Sequence, residues 1–283
     1  MSLVTSREML ARAMAGGYGV PAFNANCLEM IPALIAAAQA ERAPLIVQIS
    51  KRFLDFYPAR TIAALARRCA EEADVPVCIH LDHGASLEQA EACLKAGFTS
   101  IMYDGSALPH EQNIAATRAV ARLAADYGVP VEGEIGRVLM DEDVQDMAEL
   151  TDLTEPADAA DFVARTGVSS VAVAIGNVHR MRRKTAALDF ARIAAIRAAV
   201  RAPLVIHGSS GVSDEDVARA VSMGITKVNV ATEFSIALVA GVQAYCQEHP
   251  QAFYPMDVLQ AGLDRVIDIA RSRIRVVRAN GRV

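Results

Sequence analysis

Eight short apolar segments alternate with amphipathic helical patterns along the 283-residue chain, and no Pro/Gly/Ser-rich linker divides the series. The segments lie near residues 18–23, 44–49, 76–81, 98–102, 130–135, 169–175, 203–206 and 226–229. Continuous apolar runs of this kind are typical of parallel strands buried on both faces. Eight strand–helix units predict an α/β fold with one (β/α)8 TIM barrel, a single domain over residues 1–283. An extra C-terminal helix, from about Met256 to Arg275, follows the eighth unit.

A repeated joint between helix and strand supports this count. Gly97, Gly167 and Gly224 each end a helical pattern and lead directly into an apolar run. Glycine is the usual residue at a helix C-cap, so the joints predict helix ends that feed into buried strands. Ser86 and Ser213 begin two of these helices as N-caps, and the first is part of a capping box. An open doubly wound sheet would contain the same joints, so the choice of a barrel depends on the number of units.

Charge and cysteine content argue against a nucleic-acid-binding, membrane-binding or disulfide-linked protein. The net charge of −5 comes from mixed signs, which leaves no electrostatic footprint for nucleic acid or an anionic membrane. The five cysteines form no Cys-x-x-Cys pair, and several lie in apolar patterns, as reduced core thiols do. No apolar stretch approaches transmembrane length and the N-terminus lacks a signal-peptide pattern, so we expect a cytoplasmic protein.

The stretch at residues 75–84 ends a buried strand in polar side chains. His80, Asp82 and His83 stand where the burial of polar groups is costly. His80 and Asp82 share one face of the strand, and His83 falls where the strand gives way to a loop. An alternative is a pair of core histidines hydrogen-bonded to an aspartate, but the capped helix that begins at Ser86 argues against it. For His80 alone, core packing and support of a site both stay open.

Every predicted strand ends in a side chain that can bind a metal, a proton or a hydroxyl group. These residues are Asn24, Ser50, Asp82 with His83, Asp104, Glu134, His179, His207 and Asn229. The carboxyl ends of barrel strands form the catalytic face, so we expect these side chains to lie together. Three histidines from three strands suit one divalent metal ion; imidazole favours zinc, with cobalt and manganese as alternatives. His110 and His249 lie in helical patterns and are expected at the surface.

The loops after the seventh and eighth strands predict a phosphate site. Small residues follow His207 and Asn229, and a helix begins close behind each loop. Loops in these positions, together with a helix N-terminus, make the usual phosphate cradle of such barrels. A Gly/Ser loop alone is usually only a tight turn. The prediction of a phosphate site therefore depends on the position of these loops after the seventh and eighth strands.

In combination, these motifs resemble the class II, metal-dependent ketose-bisphosphate aldolases, the fructose- and tagatose-bisphosphate aldolase family. The similarity runs from Arg7 to the C-terminal helix, and the matching segments are residues 22–26, 80–84, 104–109, 134–136, 172–179, 207–211 and 229–233. The resemblance implies reversible aldol cleavage of a ketose bisphosphate, fructose- or tagatose-1,6-bisphosphate or a related ketose phosphate. The products are dihydroxyacetone phosphate and an aldehyde.

The resemblance also implies a metal site. His83, His179 and His207 match the ligands of a Zn²⁺ ion that polarises the substrate carbonyl. Asp104 and Glu134 match an alternative or second metal position. Many relatives also hold a monovalent cation, Na⁺ or K⁺, beside the substrate phosphate. We further expect a homodimer or homotetramer whose partner is a sugar phosphate, with no binding of nucleic acid or membrane.

Two acids are implied to move protons during the reaction. Asp82 matches the residue that exchanges a proton with the C4 hydroxyl. Glu142, in a mobile loop over about residues 136–150, matches the acid that acts on the nucleophilic carbon, with Asp141 and Asp143 as alternatives. The implied substrate contacts are Asn24, Ser50, Gly208, Ser209, Ser210, Asn229, Ala231 and Thr232.

Three departures from the family pattern leave the substrate open. Arg180 replaces the usual glycine after the second zinc histidine, residues 208–211 alter the phosphate loop, and Leu139-Met140 replaces a Gly-Gly pair. Arg180 either binds an anionic group of the substrate or points to solvent. An aldolase of the same mechanism on a different ketose 1-phosphate is therefore an alternative. A metal-dependent hydrolase fits less well because the first strand lacks His-x-His. An idle sugar-phosphate-binding barrel fits less well because the histidines and Asp82 are intact.

Overall fold

The computed structural model describes residues 2–144 and 152–283. Eight parallel strands in that part of the chain close into a barrel, each paired with its neighbours in sequence. They are β1 (Val20–Ala25), β2 (Leu45–Ser50), β3 (Val77–Gly84), β4 (Ser100–Tyr103), β5 (Val131–Ile135), β6 (Ser170–Val173), β7 (Leu204–Ile206) and β8 (Ile225–Val230). The pairing of β1 with β8 completes the ring. The predicted (β/α)8 barrel is confirmed, and every predicted strand overlaps an observed one.

Helices alternate with the strands around the outside of the barrel. Those of the described residues are α1 (Ser6–Gly16), α2 (Met30–Glu41), α3 (Lys51–Phe56), α4 (Ala59–Glu72), α5 (Leu87–Ala96), α6 (His110–Ala125), α7 (Pro156–Thr166), α8 (Phe190–Ala199), α9 (Asp214–Ser222), α10 (Thr232–Glu248) and α11 (Pro255–Val276). The last of them is the predicted C-terminal helix. Over residues 2–144 and 152–283, no helix combines the length and apolar character needed to cross a membrane.

Both serine N-caps and two of the three glycine C-caps form as predicted, whereas α9 has Met223 at its C-cap and Gly224 follows it with φ 114°. Ser86 Oγ accepts a hydrogen bond from the Gln89 backbone N–H, and Gln89 Oε1 accepts one from the Ala85 N–H, so the α5 N-terminus is satisfied from both sides. Gly97 ends the helix with φ 92°, a left-handed conformation that non-glycine residues avoid. Ser213 caps α9 in the same way as Ser86 caps α5. These local signals position the ends of two helices against the strands that follow.

The strands are buried along almost their whole length because helices cover the outer face and side chains fill the interior. Several polar residues are nevertheless buried inside the barrel, among them Gln48, His80, Glu132 and Lys227, each at most 1% exposed. Each of these four lies two residues before a polar strand end named above, and residues two apart on a strand share a face. The interior thus carries a second polar level beneath the catalytic face, here called the inner polar layer.

The C-terminal helix packs against α10 and α2. Close approach of α10 and α11 depends on two glycines, because a Cβ on Gly241 would lie 2.5 Å from the Ala261 carbonyl oxygen. A Cβ on Gly262 would lie 2.7 Å from the Leu238 carbonyl oxygen. The small residues let the helix backbones meet, and α11 thereby closes the ring of helices beside α2.

Candidate metal centre and substrate cavity

A cavity of about 800 Å³ opens at the carboxyl ends of the strands. All the polar strand ends named from the sequence line it: Asn24, Ser50, Asp82, His83, Asp104, Glu134, His179, His207 and Asn229. The parallel barrel brings them together because every strand delivers its carboxyl end to the same face. This is the place where the fold can hold a substrate.

Three imidazoles meet at the centre of the cavity. One ring nitrogen from each of His83, His179 and His207 lies within 4.8 Å of the others. His83 Nε2 and His207 Nδ1 are 2.9 Å apart. Two nitrogens bound to one tetrahedral zinc at ~2.0–2.1 Å each would be about 3.3 Å apart, so a small outward movement admits an ion. The donor set fits a divalent metal.

The backbone at His83 is unusual. This residue has φ 51°, in the left-handed region, where the register between β3 and β4 shifts. Non-glycine residues in this conformation are uncommon and cluster at functional sites. The bend at the strand end carries the imidazole toward Asp104, whose Oδ2 lies 2.7 Å from His83 Nδ1.

Protonation distinguishes the three rings. Burial lowers the pKa of His179 and of His207 well below the ordinary value, helped by the neighbouring charge of His83, so both are neutral near pH 7. Burial also opposes the charge on His83, but Asp82, the hydrogen bond to Asp104 and Glu134 outweigh it and raise the pKa of His83 to about 10. Without metal, His83 therefore donates Nε2–H to His207 and Nδ1–H to Asp104. The shared proton lies where a metal ion would lie.

A second group of candidate ligands consists of His83, Asp104 and Glu134. Glu134 is 1% exposed, and its Oε2 has no hydrogen-bond partner among the described residues. Burial and the nearby Asp104 raise the pKa of Glu134 to about 8. An unpartnered buried carboxylate oxygen is costly unless a proton or a cation satisfies it. The pair Asp104 and Glu134 therefore fits the predicted alternative metal position.

Asp82 is held by amides from neighbouring strands. Asn24 Nδ2 donates to Asp82 Oδ2 at 2.7 Å, and Asn229 Nδ2 lies 3.5 Å from Oδ1. Gln48 Nε2 in turn donates to Asn24 Oδ1 at 2.8 Å. Burial opposes ionisation, yet the neighbouring imidazoles of His83 and His207 and the Lys227 ammonium group together lower the pKa of Asp82. The carboxylate is thus ionised at neutral pH, and both polar groups of Asn24 are engaged in orienting it.

The loops after β7 and β8 form one wall of the cavity, to which Gly208, Ser210, Ala231 and Thr232 contribute. Gly208 has φ 62°, and a Cβ there would lie 2.3 Å from the Val178 carbonyl oxygen, so only glycine fits. Ser209 differs from the expectation of a substrate contact. It does not line the cavity, because its side chain turns inward and Oγ donates to the Asn229 carbonyl. Its hydroxyl joins the two loops instead.

Arg180 and Glu142 lie at the rim. Arg180 lines the cavity, whereas Glu142 does not, and their side chains are 63% and 72% exposed. The loop after β5 is held to the loop after β6, because Met140 and His179 form a parallel bridge. Residues 145–150 of the predicted loop lie outside the described residues. The acid expected to act on carbon therefore stands apart from the three central histidines.

Glu132 and Lys227, both in the inner polar layer, were not predicted from the sequence. Glu132 Oε1 lies 3.0 Å from His207 Nε2, and Lys227 Nζ lies 2.9 Å from Glu132 Oε2. The available signal was a charged residue inside an apolar strand, two positions before a strand end. His80, left open above, is fully buried, with Nδ1 2.8 Å from Ser100 Oγ and Nε2 3.4 Å from Lys227 Nζ.

The other two histidines lie away from the cavity. His249 is exposed beyond α10, and His110 begins α6 with Nε2 3.1 Å from Asp161 Oδ2. The side chain of His110 is 36% exposed. Both positions agree with the surface locations expected from their helical patterns.

Comparison with known proteins gives a consistent assignment over the whole chain. The family described as "Fructose-bisphosphate aldolase class-II" matches residues 4–282. The chain is also similar to the crystal structure of the YdjI aldolase from Escherichia coli K12, at 31% identity and a TM-score of 0.87, with 99% of each chain covered. The fold is shared with a fructose-bisphosphate aldolase from Campylobacter jejuni, at 23% identity and a TM-score of 0.87, covering 100% of this chain and 97% of that one.

Proposed function

The chain belongs to the class II fructose-bisphosphate aldolase family, and from this premise we propose that it is a metal-dependent aldehyde-lyase. The reaction is the reversible cleavage of a ketose bisphosphate, fructose- or tagatose-1,6-bisphosphate, to dihydroxyacetone phosphate and an aldehyde. One observation carries the proposal: the imidazoles of His83, His179 and His207 converge within 4.8 Å in a cavity that also contains the ionised Asp82.

The three histidines would hold Zn²⁺ with positions left open for the substrate. When bound, the ion supplies a Lewis acid that stabilises negative charge developing on the ketone oxygen. Asp104 accepts the Nδ1–H of His83, which fixes the ring orientation and leaves Nε2 directed at the centre of the site. Glu134, with its unpartnered Oε2, is available as a further ligand.

Asp82 is proposed as the base that accepts the proton of the C4 hydroxyl during cleavage and returns it during synthesis. It is suited to this role because it is ionised, lines the cavity and is oriented by Asn24 and Asn229. A positioned acid–base group typically contributes ~10²–10⁴-fold to the rate. Glu142 would have to leave the rim to reach a substrate carbon, because its side chain is 72% exposed.

Two parts of the cavity lining suit anionic groups. Gly208, Ser210 and the α10 N-terminus at Thr232 would bind the phosphate on the ketone side, since a helix N-terminus favours anions. The cavity lining that follows β2 contains Ser50 and the cation Arg52. A substrate charged at both ends is consistent with this distribution.

A ketose 1-phosphate with a different aldehyde portion is the second candidate substrate. The observation in its favour is Arg180, whose exposed guanidinium stands at the rim beside a metal ligand. There it can offer two N–H donors to a carboxylate or phosphate. We also propose that the enzyme acts as a homodimer or homotetramer in the cytoplasm.

The test is a coupled assay for release of dihydroxyacetone phosphate from a panel of ketose phosphates, with metal analysis of the same sample. We expect zinc to copurify and activity to disappear with chelator and return with added Zn²⁺. Removal and restoration of metal in one sample serve as the internal control. A protein that holds zinc but releases no dihydroxyacetone phosphate from any ketose phosphate would contradict the proposed reaction.

A further inference from the structure

We propose that Glu132 is a positioning residue that holds His207 in the tautomer able to bind metal through Nδ1, and that Lys227 holds Glu132 in turn. The inference rests on the proposed metal-dependent function and adds a specific requirement to it. Neither Glu132 nor Lys227 lines the substrate cavity, so any effect on the reaction must pass through His207.

The geometry at His207 distinguishes its two nitrogens. Nε2 lies 3.0 Å from Glu132 Oε1, and Nδ1 lies 2.9 Å from His83 Nε2. A carboxylate can only accept hydrogen bonds, so His207 donates Nε2–H to Glu132. A neutral imidazole that carries its proton on Nε2 has a lone pair on Nδ1. That lone pair faces the position shared by the other ligands.

Lys227 determines the direction of the remaining hydrogen bonds. An ammonium group only donates, and Nζ lies 2.9 Å from Glu132 Oε2 and 3.4 Å from His80 Nε2. His80 must therefore accept on Nε2 and donate Nδ1–H to Ser100 Oγ at 2.8 Å. Ser100 Oγ lies 2.9 Å from Ser6 Oγ, at the start of α1. This series of hydrogen bonds runs through the barrel interior and leaves the Nδ1 lone pair of His207 directed at the proposed metal site, where it accepts from His83 when no metal is bound.

Burial prevents these four residues from replacing their hydrogen-bond partners with water. Glu132, Lys227, His80 and His207 are each at most 1% exposed, so no water replaces a missing partner. A buried ion pair gives little net stability compared with apolar side chains of similar volume. Stability alone is therefore a weak reason for placing the pair against a metal ligand. Partners of this kind orient ligating histidines and raise their basicity.

The variant Glu132→Gln tests the tautomer directly. Lys227 Nζ lies 2.9 Å from Oε2 and 3.1 Å from Oε1, so we expect the amide oxygen to take the nearer Oε2 position. The NH₂ group then faces His207 Nε2 and favours the proton on Nδ1, the wrong tautomer. We expect the zinc dissociation constant, measured by competition with a chromophoric chelator, to rise by ~10–100-fold. In Glu132→Gln/Lys227→Met the amide oxygen is free to accept from His207, so part of the affinity should return.

Controls separate positioning from stability. Thr166→Val removes a buried hydroxyl that donates to the Phe162 carbonyl on α7, far from any ligand, and should lower the melting temperature without changing zinc affinity. Because His83 Nε2 faces His207 Nδ1, imidazole ¹⁵N NMR is done on metal-free protein in a His83→Ala background. It should show the Nε2–H form of His207 in His83→Ala and the Nδ1–H form in His83→Ala/Glu132→Gln.

The outcomes are distinct. If wild-type protein binds no zinc, the proposed function fails. If the wild type binds zinc and Glu132→Gln binds it equally well, with only a lower melting temperature, the proposed function stands and the positioning role of Glu132 is wrong. Weakened binding that recovers in the double variant, with the NMR change, supports the inference. Weakened binding without recovery or a tautomer change would overturn it.

Discussion

Arg180 Nη1 lies 3.6 Å from Glu142 Oε1 at the rim of the cavity. The pair joins the loop after β6, which carries the proposed metal ligand His179, to the loop after β5, which carries the expected acid. Both side chains are more than half exposed, and exposed ion pairs of this kind contribute only ~0–1 kcal/mol. The contact is thus weak enough to exchange for contacts with a substrate.

Arg180→Gly is expected to lower kcat/KM for substrates with an anionic aldehyde portion by about tenfold, because a charge-assisted hydrogen bond is worth ~1.5–3 kcal/mol and exposure reduces it. Glycine suits φ 61°, so the variant should fold at least as stably as the wild type. Arg183→Gly, an exposed arginine outside the cavity lining, is the matched control. If Arg180→Gly keeps the kcat/KM of the wild type and of Arg183→Gly on anionic substrates, Arg180 serves only the solvent-facing contact.

Replacement of any one of His83, His179 and His207 by alanine is expected to abolish tight zinc binding, since three protein ligands leave none to spare. Metal content after gel filtration is the measurement. His110→Ala provides the control, because this histidine is paired with Asp161 away from the cavity. Full zinc occupancy in one of the three variants would remove that residue from the ligand set.

Asp82→Ala is expected to keep zinc and lose turnover by ~10²–10⁴-fold. If Asp82 serves only to support a neighbouring histidine, zinc affinity should fall instead, so both quantities are measured on one sample. Asp55→Ala, another carboxylate on the cavity lining, should change turnover far less, because Asp55 pairs with the exposed Lys51. Comparable losses in the two variants would point to a general charge effect.

Zinc binding is expected to release about one proton near pH 8, because the metal requires the neutral ligand. The pKa of His83 is raised to about 10 without metal, so this ring is charged up to that pH, while His179 and His207 are already neutral. Affinity should therefore rise with pH up to about 10 and level off above it. Calorimetry in two buffers of different ionisation enthalpy counts the protons. A release near zero would show that His83 is neutral before binding.

Glu41→Gln is expected to lower the free energy of unfolding by about 1 kcal/mol, a modest value because its partners are partly exposed. Glu41 accepts hydrogen bonds from Arg275 and Arg271 of α11, and its side chain is 8% exposed. The hydrogen bond from Arg275 is the main reason that the pKa of Glu41 is lowered. The contribution is present above the unfolded pKa of ~4.3 and is lost as pH falls through the folded value.

Urea unfolding at pH 7 and pH 3 measures this effect. Glu72→Gln is the control, since Glu72 pairs with Arg68 on the surface of α4 and both side chains are more than half exposed. It should change the free energy of unfolding by less than Glu41→Gln. A deficit in Glu41→Gln that is as large at pH 3 as at pH 7 would show that packing, rather than charge, ties α11 to α2.

The sequence alone determined the architecture and the position of the candidate site. Apolar runs, serine N-caps and glycine C-caps are local signals, and they located all eight strands and the joints between them. The rule that parallel strands share a catalytic edge then placed Asp82, His83 and His207 together without knowledge of any distance. The location of residues at strand ends can be predicted from sequence because all parallel strands place their carboxyl ends on one face of the barrel, whatever the details of side-chain packing.

Only the tertiary structure decided which side chains touch. Glu132 and His207 are 75 residues apart, and Lys227 and His80 are 147 apart, so no sequence period relates them. They meet because barrel closure fixes the stagger between strands and directs alternate residues into one narrow interior. The inward turn of Ser209 and the left-handed backbone of His83 likewise arise from packing of neighbouring loops and strands. Local sequence sets which residues reach the catalytic face, and closure of the barrel sets the partners that hold them.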